Sequence, residues 1–119
     1  LKSAKQDGVK FILVMYPYGI HVGSEQWGEG RVYWGFEQHR VYSDYFGFEL
    51  VQEFAREYSI PFINLLSDFI REKDQNLFFP YDGHFTPAAN RVAAEALASH
   101  SIFQEALQEG VLAQITSLG

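Results

Sequence analysis

"VKFILVMYP", Val9–Pro17, decides the fold class of this chain. Val9 to Tyr16 is an almost unbroken apolar run, β-branched and aromatic, and Pro17 ends it. A run that short, apolar on both faces, fits a buried strand of a parallel sheet. A short buried helix is the competing reading, and the length argues against it. A second run of the same kind, "IPFINLL", occupies residues 60–66, with Pro61 near its start. Between them "GFELVQEFAREY", residues 47–58, puts Phe48, Val51, Phe54, Ala55 and Tyr58 on one stripe, the pattern of an amphipathic helix. Strand, helix, strand is the repeating unit of an α/β sheet.

Further along, "SDFIREKD", residues 67–74, reads as a short helix with Ser67 as a weak cap. Thr86 followed by Pro87 marks a firmer start: a hydroxyl to cap the helix, then proline at its first position. That helix should run to about Ser99, with Ala89, Val92, Ala93, Ala96 and Leu97 inward. "SIFQEALQEG" adds a turn or two that Gly110 should stop. Residues 17–46 form a long connection rich in glycine and aromatics, in which "RVYWGF" is the one candidate strand. Two parallel strands alone cannot cover their faces and edges. The opening "LKSAKQDGVK" reads as the end of a helix turning at Gly8 into a strand. We therefore expect a single domain over 1–119 that is the C-terminal portion of a larger one, or a homo-oligomer in which a second copy completes the sheet.

Composition narrows the function. Hydrophobic residues make up 47% of the 119, which argues for a folded domain. A net charge of −6 disfavours nucleic acid and anionic membranes as partners. No apolar run is long enough to span a bilayer. With no cysteine, disulfides, thiol catalysis and cysteine-ligated zinc are excluded.

The chemistry concentrates in "FFPYDGHFTPAANRVAAEAL", Phe78–Leu97. Asp82 and His84 flank a glycine just ahead of the Thr86–Pro87 helix start. Histidine titrates near neutrality and serves as a general base; a carboxylate on its other ring nitrogen fixes the tautomer and stabilises the imidazolium. Gly83 lets the backbone bend between them. Spacing alone is weak support, because "YDG" is also an ordinary turn and a loop histidine before a helix is often only a surface residue.

The block "DGHFTPAANRVAAEAL" resembles the C-terminal motif of the SGNH (GDSL-like) hydrolases, which in the subset resembled reads D-G-H-x-N-P-x-G before an Ala-rich helix. Thr86 stands where Asn is usual and Ala89 where Gly is usual. "DGVKFILVMYP" and "FAREYSIPFINLLSDF" are similar to that family's preceding strand and its helix–strand–helix, so the likeness extends over about residues 1–99. It implies a partial three-layer α/β/α, flavodoxin-like fold with parallel strands and flanking helices. It further implies that His84 is the base and Asp82 its orienter, that no cofactor is needed, and that the substrate is a carboxylic ester or O-acylated glycan. An extracytoplasmic location follows from the resemblance alone.

The family's G-D-S-like serine turn and oxyanion-hole blocks are not in these 119 residues. Ser3, Ser24, Ser43, Ser59, Ser67, Ser99, Ser101 and Ser117 all lack a G-D-S or G-x-S-x-G setting. Only Ser24 lies in a glycine-containing loop after a strand, and a turn residue is the better reading of it. The nucleophile is therefore expected outside this chain, and the chain alone should hydrolyse little ester. Tyr18, Trp27 and Trp34 are the candidate substrate contacts in the aromatic connection, against the simpler reading that its rings fill a core or an oligomer interface. The alternative function is a non-catalytic α/β interaction module using those aromatics. His21, His39, Asp82 and His84 lack any tight ligand spacing, so no metal is expected. His100, at a helix end, reads as a residue that complements the helix dipole.

Overall fold

The computed structural model describes the backbone of residues 6–117 and side chains of 6–110. In chain order the elements are β1 (Leu13–Met15), α1 (Gly19–Val22), α2 (Gly28–Tyr33), α3 (Phe46–Glu57), β2 (Phe62–Asn64), α4 (Leu66–Arg71), α5 (Pro87–Ser99) and α6 (Ser101–Ser117). The fold is mixed α/β: a two-stranded parallel sheet with flanking helices. Leu13 pairs with Phe62, Val14 with Ile63 and Met15 with Asn64. The ladder extends at both ends, where Leu13 N–H donates to Pro61 O and Leu65 N–H to Met15 O, each at 2.9 Å. Pro61 is tolerated because only its carbonyl is used. The helix end read over residues 1–5 lies outside the described residues, and Gly8 after it has a φ of 67°.

α3 connects the strands and ends in a paired hydrogen-bond motif. Ser59 N–H donates to Arg56 O at 3.2 Å and Ile60 N–H to Ala55 O at 2.8 Å. Ser59 sits in the left-handed region at φ 52°. That is the Schellman closure, with serine where glycine is usual. It turns the chain directly into β2. Phe48 and Ala55 are buried as the stripe requires, but Phe54 and Tyr58 are half-exposed and pack on each other at 4.7 Å.

The core joins Ile63 and Leu65 of the β2 region to Phe69 of α4, Leu77 and Phe78, and Ala89 and Val92 of α5. Ile20, Val22 and Trp27 close it from the other side. α5 begins as expected: the Thr86 hydroxyl accepts from Ala89 N–H at 3.3 Å, with Pro87 in the first turn.

Three local expectations are corrected. Residues 17–46 hold two short helices, and Arg31–Tyr33 of "RVYWGF" end α2 instead of forming a strand. Ser67 lies inside α4; the N-cap position is Leu65, and the side-chain oxygen of Asn64 just before it accepts from Leu66 N–H at 2.9 Å. α6 runs through Gly110 to Ser117, since one glycine weakens a helix without having to end it. His100 closes α5 and also opens α6, its Nδ1 accepting from Ile102 N–H at 3.3 Å.

Residues 17–46 are tied down by buried polar side chains. Arg31 is fully buried and donates to Gln26 O and Gly23 O at 2.7 Å, and to Arg40 O at 2.9 Å. Burial pushes its guanidinium pKa down, and the ring of carbonyl oxygens replaces the lost water. Gln26, also buried, donates to Lys73 O at 2.7 Å and Gln75 O at 2.6 Å, and accepts from Leu77 N–H at 3.0 Å. One glutamine thus joins the aromatic connection to the segment that leads into the Asp82–His84 loop.

Candidate active site

Residues 77–86 form a closed loop. Thr86 N–H donates to Leu77 O at 3.0 Å and Phe79 N–H to His84 O at 2.9 Å, around an antiparallel bridge between Phe78 and Phe85. Both bridge residues anchor in the core. Phe85 lies 5.0 Å from the Phe69 ring and 5.5 Å from Phe78. The Thr86 hydroxyl adds a bond to Asn76 O at 2.6 Å. The loop is fixed at its base, and its tip carries the two candidate residues.

At the tip, Asp82 Oδ1 accepts from His84 backbone N–H at 2.9 Å. This is a local Asx turn, and Gly83 at φ 71° supplies the bend it needs. The other carboxylate oxygen, Oδ2, lies 3.3 Å from His84 Nδ1. One carboxylate therefore holds the backbone and faces the ring of the same residue. Its pKa is lowered, chiefly by the backbone N–H of His84 and secondarily by the imidazole. With Nδ1–H toward the carboxylate, the Nε2 lone pair is left to take a proton. His84 Nε2 has no hydrogen-bond partner among the described residues. The side chains are open to solvent, His84 by 81% and Asp82 by 59%.

The loop lies where β1 ends. The Tyr16 ring meets Phe85 edge-on at 5.0 Å, and Tyr18 lies over Trp27 at 6.4 Å. Trp27 in turn supports Gly83, whose added Cβ would sit 3.0 Å from the indole. Carboxyl ends of parallel strands are where α/β proteins place their sites.

The expected residues separate into groups. Asp82 and His84 are together. Tyr18 is exposed over Trp27, whereas Trp27 is buried beneath the loop and presents little surface to a ligand. Trp34 is exposed and packs edge-on with Tyr33 at 6.2 Å, apart from this cluster in its described contacts. Ser24 lies in the turn over 24–27, beside the Glu25 carboxylate, and no serine hydroxyl bonds His84 among the described residues. A depression of ≈ 530 Å³ between the two loops is lined by Ser24, Trp27, His39, Phe79 and Thr86, but not by His84. His21 is occupied with Tyr42 O at 2.9 Å and His39 with Glu25 at 2.8 Å. No group of three potential metal ligands occurs among the described residues. No described helix is long and apolar enough to cross a membrane.

Sequence reading missed Gln26, Arg31 and Phe85. Gln26 and Arg31 look like surface polar residues in a glycine-rich stretch, and only their buried backbone partners reveal them, distant in sequence for Gln26 and within the connection for Arg31. Phe85 had a usable signal: two phenylalanines flanking "FPYDGH" at the right separation for a bridge. No known protein family, curated protein or solved structure matches the chain.

Proposed function

We propose that this chain carries the acid–base half of an SGNH-type serine hydrolase or O-acyltransferase, within a three-layer α/β/α, flavodoxin-like domain. The nucleophilic serine is supplied by polypeptide outside these 119 residues. The observation that carries the reading is the double engagement of Asp82, with one oxygen on the His84 backbone and the other 3.3 Å from His84 Nδ1. That arrangement leaves Nε2 to act as base. The position of the loop at the end of β1 supports it.

The chemistry is acyl transfer. His84 Nε2 takes the serine hydroxyl proton as the oxygen bonds to the ester carbonyl carbon. The proton then passes from Nε2 to the departing alcohol as the C–O bond breaks. Water, or an acceptor hydroxyl in the transferase case, repeats the sequence and frees the serine. Asp82 stabilises the imidazolium that forms in each half. The substrate class is a carboxylic ester, including O-acylated glycans.

The test is hydrolysis of a nitrophenyl ester by the gene product that contains this chain, with His84→Ala and Asp82→Asn beside it. Loss of about 10³-fold or more in kcat for His84→Ala supports the reading. Wild-type turnover unchanged by that substitution refutes it. The exposure of His84 and of Tyr16, Tyr18, Tyr33 and Trp34 favours one competitor, a non-catalytic interaction module. That reading predicts no turnover in any form of the protein.

A further inference from the structure

We infer that Trp27 is a positioning residue for the Asp82–His84 pair, acting through the backbone of Tyr81 and Gly83. The inference rests on the acid–base role proposed above. It assigns the indole a place under the loop instead of against a substrate.

The contacts are specific to the loop tip. Trp27 Nε1–H donates to Tyr81 O at 3.3 Å, one residue before Asp82. The indole lies flush against Gly83, where an added Cβ would come within 3.0 Å of Cε2 and Nε1. Gly30, in the first turn of α2, donates its N–H to Pro80 O at 2.7 Å. A Cβ on Gly30 would collide with Trp27 Nε1 and Tyr81 O, so the α2 backbone, the indole and the loop are in mutual contact. The loop thus rests on Trp27 and Gly30 together through residues 80, 81 and 83.

The indole itself is held in place. The Trp27 backbone is in the left-handed region at φ 55°, uncommon for a bulky residue and a cost that surrounding structure must offset. Next to it, Gln26 bonds to three backbone groups of residues 73–77. Tyr18 stacks over the indole at 6.4 Å and Phe36 tilts against it at 6.1 Å. The single donor of this buried ring goes to the loop carbonyl of Tyr81. At 7% exposure the indole presents little surface to a substrate.

The consequence concerns geometry. Asp82 accepts the His84 N–H only while the turn keeps its shape, and that bond is the main reason its pKa is low. Loosening the floor under Gly83 lets the turn relax. The carboxylate then leaves both the backbone N–H and the imidazole.

The experiment compares wild type with Trp27→Phe and Trp27→Ala. Trp27→Phe keeps a ring but removes the donor to Tyr81 O. The Asp82 side-chain carboxyl is titrated by NMR in each folded protein, and kcat and KM are measured on the nitrophenyl ester. In Trp27→Phe the Asp82 midpoint rises toward the ordinary carboxylate range, and kcat falls about tenfold with KM unchanged. Trp27→Ala, where it folds, moves both readouts further in the same direction, to about 10²-fold in kcat. An Asp82 midpoint in Trp27→Phe identical to wild type, with only thermal stability lowered, overturns the inference and makes Trp27 a core residue. The titration does not need catalysis. Absence of wild-type turnover defeats the acid–base role, while the Asp82 midpoint still decides whether Trp27 holds the loop.

Discussion

The loop over 77–86 and the connection over 17–46 solve opposite problems. The loop carries exposed, ionisable chemistry on a base closed by backbone bonds and two core phenylalanines. The connection carries exposed aromatics on a base closed by a buried arginine and a buried glutamine that bond backbone carbonyls. Local rules explain the first: an Asx turn, a positive-φ glycine and a capped helix. Buried side-chain bonds to backbone explain the second, within the connection for Arg31 and long-range for Gln26. A site that must present a histidine to solvent can be built locally. A connection whose helices are this short needs side chains from its own interior to hold it.

That contrast can be broken by substitution. Arg31→Ala should have the largest effect on folding, about 3 kcal/mol or more, because several buried carbonyl oxygens lose a charged donor at once. Chemical denaturation measures it. Because Gln26 joins the two regions, Gln26→Ala should cost about 2 kcal/mol and expose the amide of Leu77 to hydrogen exchange. An unchanged exchange rate there would mean that the two regions are independent. Thr86→Ala removes the helix cap and the bond to Asn76 O, and should lower stability by about 1 kcal/mol. Gly110→Ala should act the other way, raising stability by roughly 0.5–1 kcal/mol, since Gly110 lies within α6 with open space where a Cβ would go.

Acid should reach the loop through Asp82, below the ordinary carboxylate range. The Asp82 pKa is lowered in the fold, so its contribution is complete above the ordinary carboxylate range and is lost as pH falls through its lowered value. A Gly83 amide shift that follows a single titration below that range, and is absent in Asp82→Asn, would confirm the link. The exposed setting keeps the effect on global stability small.

Much of the frame was legible in the sequence. The two apolar runs paired in parallel because each was short, β-branched and bounded by proline, with an amphipathic helix between them. Thr86–Pro87 declared its helix by local chemistry alone. Asp82 and His84 lie together, an expectation that rested on the resemblance of the block more than on their spacing around a glycine. The connection was not legible, because α1 and α2 are too short to show a helical period and are held by the buried side chains of Arg31 and Gln26, the latter bonding partners distant in sequence. Sequence left Trp27 open between a substrate contact and a core ring, and its place under the loop shows only once Gly30 and Gly83 are seen to make room for it. The length of α6 depended on a residue, Gly110, whose effect on a helix is a matter of degree.

The most direct measurement is labelling of the intact gene product with a fluorophosphonate, read by mass spectrometry. We predict an adduct on a serine outside Leu1–Gly119, forming at a rate that falls by about 10³-fold in His84→Ala. Absence of any serine adduct, or a labelling rate indifferent to His84, would contradict the assignment of Asp82 and His84 as an acid–base pair.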